Sequence, residues 1–203
     1  MIRAKKIEKI RIIGIDEAGR GPLAGPVAVG AVCFLDKKCS KIFKDVKESK
    51  QLSARQREEW FEKIKKETEK GTIAYSVSLQ SAQLIDTRGL SFVIKKAINE
   101  CLESLNQKPQ NVTVLLDGGL KAPILYKRQK TIIKGDTKEP SIALASIIAK
   151  VTRDRLMIRI AKKYPVYGFE IHKGYGTKLH RLAVMEFGPA FIHRKSFLKN
   201  IVK

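Results

Sequence analysis

Two adjacent acids, Asp16 and Glu17, stand where an apolar run stops, directly before a loop containing Gly19, Arg20, Gly21 and Gly25. Side-by-side carboxylates at the edge of a core need a partner, because an ionised group taken out of water is costly unless paired. A divalent cation is one such partner. The three glycines let backbone amides approach a ligand or turn with positive φ. Arg20 can present its planar fork to a phosphate. The same residues also fit a strand, a solvated acidic pair and a turn. The arginine and its glycines favour a site without naming its chemistry. Two further acids have similar settings. Asp117 follows the apolar stretch 112–116 and precedes Gly118, and Asp136 follows the stretch 131–134 and Gly135.

Four carboxylates cannot share a small site unaided. Two unit charges ~4 Å apart repel by about 4 kcal/mol at an effective dielectric near 20. Either their pKa values rise or cations bind. Hard oxygen donors select Mg²⁺ or Mn²⁺. Two such ions ~3.5–4 Å apart serve in-line displacement at a phosphodiester, one activating water and the other stabilising the leaving 3′ oxygen.

The elements that must position these acids can be read from periodicity. Ile10, Ile12, Ile13 and Ile15 form a β-branched strand, and the stretch 27–34 reads as a second strand close enough for an antiparallel hairpin. The segment 36–51 reads as mostly loop. Ser53 and Gln56 form a capping box opening a helix with Trp60, Phe61 and Ile64 on its core face. The stretch 72–78 alternates as a third strand. A single helix is expected from Asp86 or Thr87 to Leu105, then strands over 112–116 and 131–134. A long helix from Ser141, a candidate N-cap, to Tyr164 follows, apolar in its first half and basic in its second. Another helix spans 177–187. Early antiparallel strands followed by crossover units predict an α/β fold with a mixed sheet, whose ligands gather beyond the carboxyl ends of parallel strands. Asp16, Glu17, Asp117 and Asp136 converge there if their strands are neighbours.

Composition adds a partner. Lys and Arg number 41 against 20 acids, a net charge of +21 on 203 residues. That excess favours a polyanionic partner, nucleic acid first, but a generic basic surface carries the same charge, and net charge alone does not separate the two. Residues 151–203 carry a net +9. Cys33, Cys39 and Cys101 form neither a disulfide framework nor a zinc pattern, which fits a reducing cytoplasm. The first fifteen residues lack the apolar region of a signal peptide, and no run approaches the ~20 residues of a membrane helix, so no membrane partner is expected.

Five motifs then carry a family resemblance: the stretch 16–27, Asp117-Gly118, Lys134-Gly-Asp136, the stretch 145–154, and His172-Lys-Gly-Tyr-Gly-Thr177. In this order they resemble the bacterial type 2 ribonuclease H, ribonuclease HII, over about residues 10–197. The resemblance implies a ribonuclease H-like core, a mixed five-stranded sheet flanked by helices over residues 1–165, with a C-terminal loop and helical extension over 166–203. It implies hydrolysis of the RNA strand of RNA–DNA hybrids and incision 5′ to single ribonucleotides in duplex DNA, leaving 3′-hydroxyl and 5′-phosphate ends. Asp16, Glu17, Asp117 and Asp136 match the family's metal-binding carboxylates, for two Mn²⁺ or Mg²⁺ ions. Gly19, Arg20 and Gly21 match the loop that contacts the ribose 2′-hydroxyl, the group that separates RNA from DNA. Tyr175 matches the tyrosine that stacks at the junction beyond the ribonucleotide. Ser49, Lys50, Ser146, Lys150 and Lys173 fall in motifs near substrate phosphates. A monomer is expected. Departures are Glu48 where the family commonly has Asp, Ala143 where it commonly has Ser, and Leu144 in place of a small residue.

Other residues read as structural. Asp154, between Arg153 and Arg155, reads as a local ion pair. Trp60 and Phe61 read as core. His172, His180 and His193 read as a cluster in sequence only, on the surface or touching phosphate. The basic tail reads as a solvated face that also holds duplex, and Ser196-Phe197-Leu198 is a candidate sliding-clamp peptide. Two competing functions stay open: a resolvase-like nuclease on the same core, and a non-catalytic nucleic-acid binder with structural acids.

Overall fold

A computed structural model describes residues 10–36 and 38–201. The basic N-terminal residues read for a signal peptide fall partly on residues 1–9, outside the described residues. Strands β1 (Arg11–Ala18), β2 (Val27–Phe34), β3 (Ile73–Gln80), β4 (Val112–Asp117) and β5 (Gln129–Ile132) form one sheet in the order β3-β2-β1-β4-β5. β1, β2 and β3 make an antiparallel meander, while β4 and β5 run parallel to β1. The expected hairpin and mixed sheet are both present.

Helices α1 (Cys39–Ile42), α2 (Ala54–Glu69), α3 (Ala82–Arg88), α4 (Leu90–Leu105), α5 (Pro140–Ala161), α6 (Phe169–His172) and α7 (Lys178–Phe187) flank the sheet. Successive strand residues point to opposite faces. Ile13, Ile15, Val29, Ala31 and Cys33 therefore pack on α4 through Val93, Ala97 and Cys101. Val32 and Phe34 face Phe61 and Ile64 of α2 and Leu144, Ile147 and Ile148 of α5. Helices on both faces explain why every residue of β2 is buried and its sequence reads as a continuous apolar run. α5 lies directly on the sheet: a Cβ at Gly14 would fall 2.2 Å from the Ser141 carbonyl carbon, and one at Gly30 2.4 Å from the Ala145 oxygen. That contact fixes Ser146 and Lys150 relative to β1.

A third apolar cluster joins Leu23 and Ala24 of the β1–β2 loop to Met157 and Ala161 of α5 and to Tyr167, Phe169, Ala183, Val184 and Leu198. Among the described residues, no helix is long and apolar enough to cross a membrane.

Several elements differ from the sequence expectation for identifiable reasons. The helix expected from Asp86 to Leu105 is two, because Gly89 at φ 79° ends α3 and starts α4. α5 begins at Pro140 in its first turn, and the Ser141 hydroxyl is buried, with no partner among the described residues, instead of capping. The Ser53–Gln56 capping box forms as expected. The segment 36–51 contains α1 and a single 3₁₀ turn, Ser49–Gln51. Within Ser196-Phe197-Leu198, Ser196 bonds Asp86 and Leu198 is buried.

Candidate active site

The parallel pairing of β1 with β4 places Ile15 opposite Leu116, so Asp16 and Asp117 leave neighbouring strands side by side. Asp16 and Glu17 lie within β1, and Asp117 is the last residue of β4. Asp136 is not at a strand end, as the sequence suggested. β5 stops at Ile132, and Lys134, held at φ 54°, turns the chain into the 3₁₀ turn Gly135–Thr137. The Gly135 amide donates to Asp117 Oδ1 at 2.7 Å and pins this turn beside β4.

One cleft of about 260 Å³ is lined by Asp16, Glu17, Asp117 and Asp136, together with Gly19, Arg20, Gly21, Ser49, Lys50, Ser146, Lys150 and Tyr175. Every candidate except Lys173 is thus brought to one place. Lys173 lines the adjoining cleft of about 440 Å³, and its ammonium caps the carbonyl of Glu170. Lys150 and Tyr175 border both clefts.

Electrostatics in the acid cleft follow from crowding. Burial, then the neighbouring Glu17, pushes the Asp16 carboxyl up to about 8. Burial also raises Glu17, although the Arg20 guanidinium, 2.6 Å away, opposes the shift. Asp136 is raised by burial and then by Glu48, the residue that departs from the family pattern. Ser146 hydrogen-bonds the Asp16 carboxyl and also bonds Ser49 at 2.8 Å. Both serines are buried, so they hold an acid in place more directly than they face a phosphate. Lys150 donates to Asp154 at 2.9 Å, which makes the expected ion pair.

Gly19 and Gly21 are glycines for different reasons. Gly19 has φ 92°, and a Cβ there would lie 2.2 Å from Arg153 Nε. Among the described residues, a Cβ on Gly21 meets nothing within 4 Å, and its φ is not in the left-handed region. The protein's own packing therefore does not require Gly21 to be bare.

Two arginines that the sequence reading did not assign to this loop shape it. Arg153 is fully buried and donates to the carbonyls of Pro26 and Ala24. Arg194, also fully buried, donates to Gly25, Arg20 and Gly19. The tail is therefore not wholly a solvated face. A composition count cannot separate a buried arginine from an exposed one; only the partners, some 130 to 175 residues away in the chain, decide it.

The histidines also depart from expectation. His172, His180 and His193 are buried together, with the first two rings stacked at 4.4 Å and His180 Nε2 3.0 Å from His193 Nε2. The Gly174 and Ala190 amides donate to Nδ1 of His172 and His193. Each histidine then accepts on one nitrogen and donates from the other, with His180 Nδ1 donating to the Tyr175 carbonyl. This is a neutral hydrogen-bonded stack. Among the described residues no His, Cys, Asp or Glu group has the arrangement of a preformed metal cage.

Residues 13–200 match the sequence family described as ribonuclease HII. The chain belongs to the ribonuclease HII family. The ribonuclease HII of Caldicellulosiruptor bescii is 48% identical over 191 residues, covering 94% of this chain and 88% of that protein. The crystal structure of ribonuclease H2 from Pyrococcus horikoshii is similar at TM-score 0.75 and 30% identity, covering 95% of this chain and 97% of that one. The PCNA–ribonuclease HII complex from Archaeoglobus fulgidus is similar at TM-score 0.76 and 26% identity, with the same coverage. Family membership makes this chain a metal-dependent hydrolase, an endoribonuclease of RNA–DNA hybrids. The ribonuclease H-like mixed sheet expected from the sequence is present.

Proposed function

We propose that this ribonuclease HII cuts on the 5′ side of single ribonucleotides in duplex DNA as well as within hybrids, leaving 3′-hydroxyl and 5′-phosphate ends, at a site built for two Mg²⁺ or Mn²⁺ ions. One observation carries the reading: the four acids, the glycine loop and Tyr175 line the same cleft.

The donor set fits hard cations. Glu17 Oε2 is buried with no hydrogen-bond partner among the described residues, and Asp16 sits in surroundings that hold it protonated near neutral pH unless positive charge arrives. Asp16, Glu17, Asp117 and Asp136 would hold the ions, which when bound supply an activated water and stabilisation of the leaving oxygen. Ser146, backed by Ser49, orients Asp16. Lys50 and Lys150 offer charge for the phosphates on either side of the cut, and Lys173 extends that charge along the adjoining cleft. Arg20 neutralises Glu17 in the absence of ions and is free for phosphate once another cation takes that role.

Discrimination belongs to the loop and the tyrosine. Gly21 leaves open the space where a ribose 2′-hydroxyl meets backbone amides, a space that no side chain among the described residues fills. Tyr175, 41% exposed at the rim, offers a ring face to the deoxyribose on the far side of the junction. Residues 10–165 act as the catalytic core, and 166–201 close around the loop and present that tyrosine. Three unpaired, buried cysteines fit work in a reducing cytoplasm.

The test uses three matched duplexes: one with a single ribonucleotide, one RNA–DNA hybrid and one all-DNA, each with Mg²⁺, Mn²⁺ or chelator. The expected result is a metal-dependent nick 5′ to the ribonucleotide, cutting of the hybrid, and an intact all-DNA duplex. Equal cutting of all-DNA would indicate a resolvase-like nuclease, and no cutting with either ion would indicate a binder.

A further inference from the structure

Arg194 comes from the tail, 169 residues or more beyond the loop it touches, yet its whole fork is spent on that loop. Nε donates to the Gly25 carbonyl at 3.0 Å, Nη1 to Arg20 at 2.7 Å and Nη2 to Gly19 at 2.7 Å. Backbone contacts reinforce the seat: the Arg194 amide donates to the Leu23 carbonyl, the Gly25 amide donates to the Ile192 carbonyl, and Ala24 bridges His193. Phe197 covers the guanidinium with its ring 5.2 Å away. Asp86 holds the tail beyond it, accepting from the amides of Lys195 and Ser196.

A buried guanidinium bonded only to carbonyls costs more desolvation than a surface salt bridge, so its geometry is informative. In a trans peptide the carbonyl and the following amide point in opposite directions. Anchoring the carbonyls of Gly19 and Arg20 on Arg194 turns the amides of Arg20 and Gly21 the other way. Among the described residues, neither amide donates a hydrogen bond within the protein. Both belong to residues that line the acid cleft. A lysine could not reproduce this arrangement, since a point charge does not fix three carbonyls at once.

We infer that Arg194 is a positioning residue for ribonucleotide specificity: its fork sets the peptide planes of Gly19–Arg20 and Arg20–Gly21, so that two free amides face the sugar at the cut. It touches no substrate itself and acts through the loop. This inference rests on the reading that the loop senses the 2′-hydroxyl, and the experiment separates the two.

The assay compares KM for the single-ribonucleotide duplex with the Ki of the same sequence as all-DNA, added as competitor, in Mg²⁺. In the intact enzyme KM lies well below Ki; equality there would sink the sugar-sensing reading itself. Arg194→Lys raises KM about tenfold, the worth of roughly one hydrogen bond, while Ki changes less than about twofold because charge and phosphate contacts remain. A general loss of folded protein would lower the apparent kcat and leave both constants alone. Asp86→Asn loosens the same strap from the surface and moves the ratio in the same direction by a smaller factor, which decides the matter should Arg194→Lys fail to fold. If the intact enzyme shows the preference and the folded variants keep the ratio of KM to Ki, Arg194 has no part in specificity.

Discussion

Asp16→Asn is the most informative single change, because it has opposite consequences for activity and for stability. The carboxyl is pushed from an ordinary 3.8 to about 8, first by burial and then by Glu17. Between those values the native chain keeps a proton that the unfolded chain has released. Stability in the absence of divalent ions therefore falls as pH rises from about 4 toward 8. Linkage puts the cost of this one group at about 4 kcal/mol at pH 7 and about 2 kcal/mol at pH 5. An asparagine keeps the acceptor for the Glu17 amide, now 2.7 Å from Asp16 Oδ1, and can donate to Ser146. With chelator at pH 7 the variant should gain up to about 4 kcal/mol, a rise of roughly 8–16 °C in Tm for a chain of this size. Its advantage should roughly halve at pH 5. Glu17 and Asp136 are shifted the same way, so the intact protein keeps some of its slope and the difference between the two proteins isolates Asp16. Thermal melts in chelator at both pH values are the assay, paired with a cleavage test in which the variant is inactive. A variant less stable than the parent at pH 7, or an advantage that does not change with pH, would refute the reasoning.

Other consequences are open to direct measurement. Gly21→Ala should melt within about 1 °C of the parent, since a Cβ there meets nothing within 4 Å among the described residues, yet raise KM for the ribonucleotide duplex at least tenfold; unchanged kinetics would mean the space is not used. Tyr175→Ala should depress cleavage at a single ribonucleotide more than cleavage of a long hybrid, and equal losses on the two substrates would remove the tyrosine from the junction. Burial holds His180 down to about 4 and lowers His172 and His193. Such groups take up protons more readily when unfolded, so their contribution is lost as pH falls from about 6.5 toward 4. The hydrogen-exchange protection of residues 172–194, taken relative to the intrinsic exchange rate at each pH, should therefore fall across that window, and protection at pH 4.5 equal to that at pH 6.5 would contradict the neutral stack.

The first four strands were legible because each carried its own signal, whereas β5, largely exposed, lies at Gln129–Ile132 and not at the expected 131–134. The β-branched run of β1, the unbroken apolar β2 and the alternating β3 state their burial locally, and the short β1–β2 loop states their pairing. The four acids were legible for a related reason: each sits near the end of a strand or in the turn after it, where carboxylates rarely belong for packing alone. What could not be read is what depends on contact across the chain. Nothing near Arg194 announces that its fork will meet carbonyls 169 to 175 residues earlier. The three histidines follow no local spacing rule, and their stack exists because α6, α7 and the tail converge on Phe169. Gly89 was readable in kind but not in consequence, since a glycine within a helical pattern can be tolerated or can break it.

The most direct measurement of the central claim is the anomalous signal of Mn²⁺ in crystals of the Asp136→Asn protein with a duplex bearing one ribonucleotide. The account predicts Mn²⁺ bound by Asp16, with Glu17 and Asp117 within ligand distance and the phosphate 5′ to the ribose against it. Metal bound elsewhere, with Asp16 and Asp117 turned away from it and from the phosphate, would contradict the account.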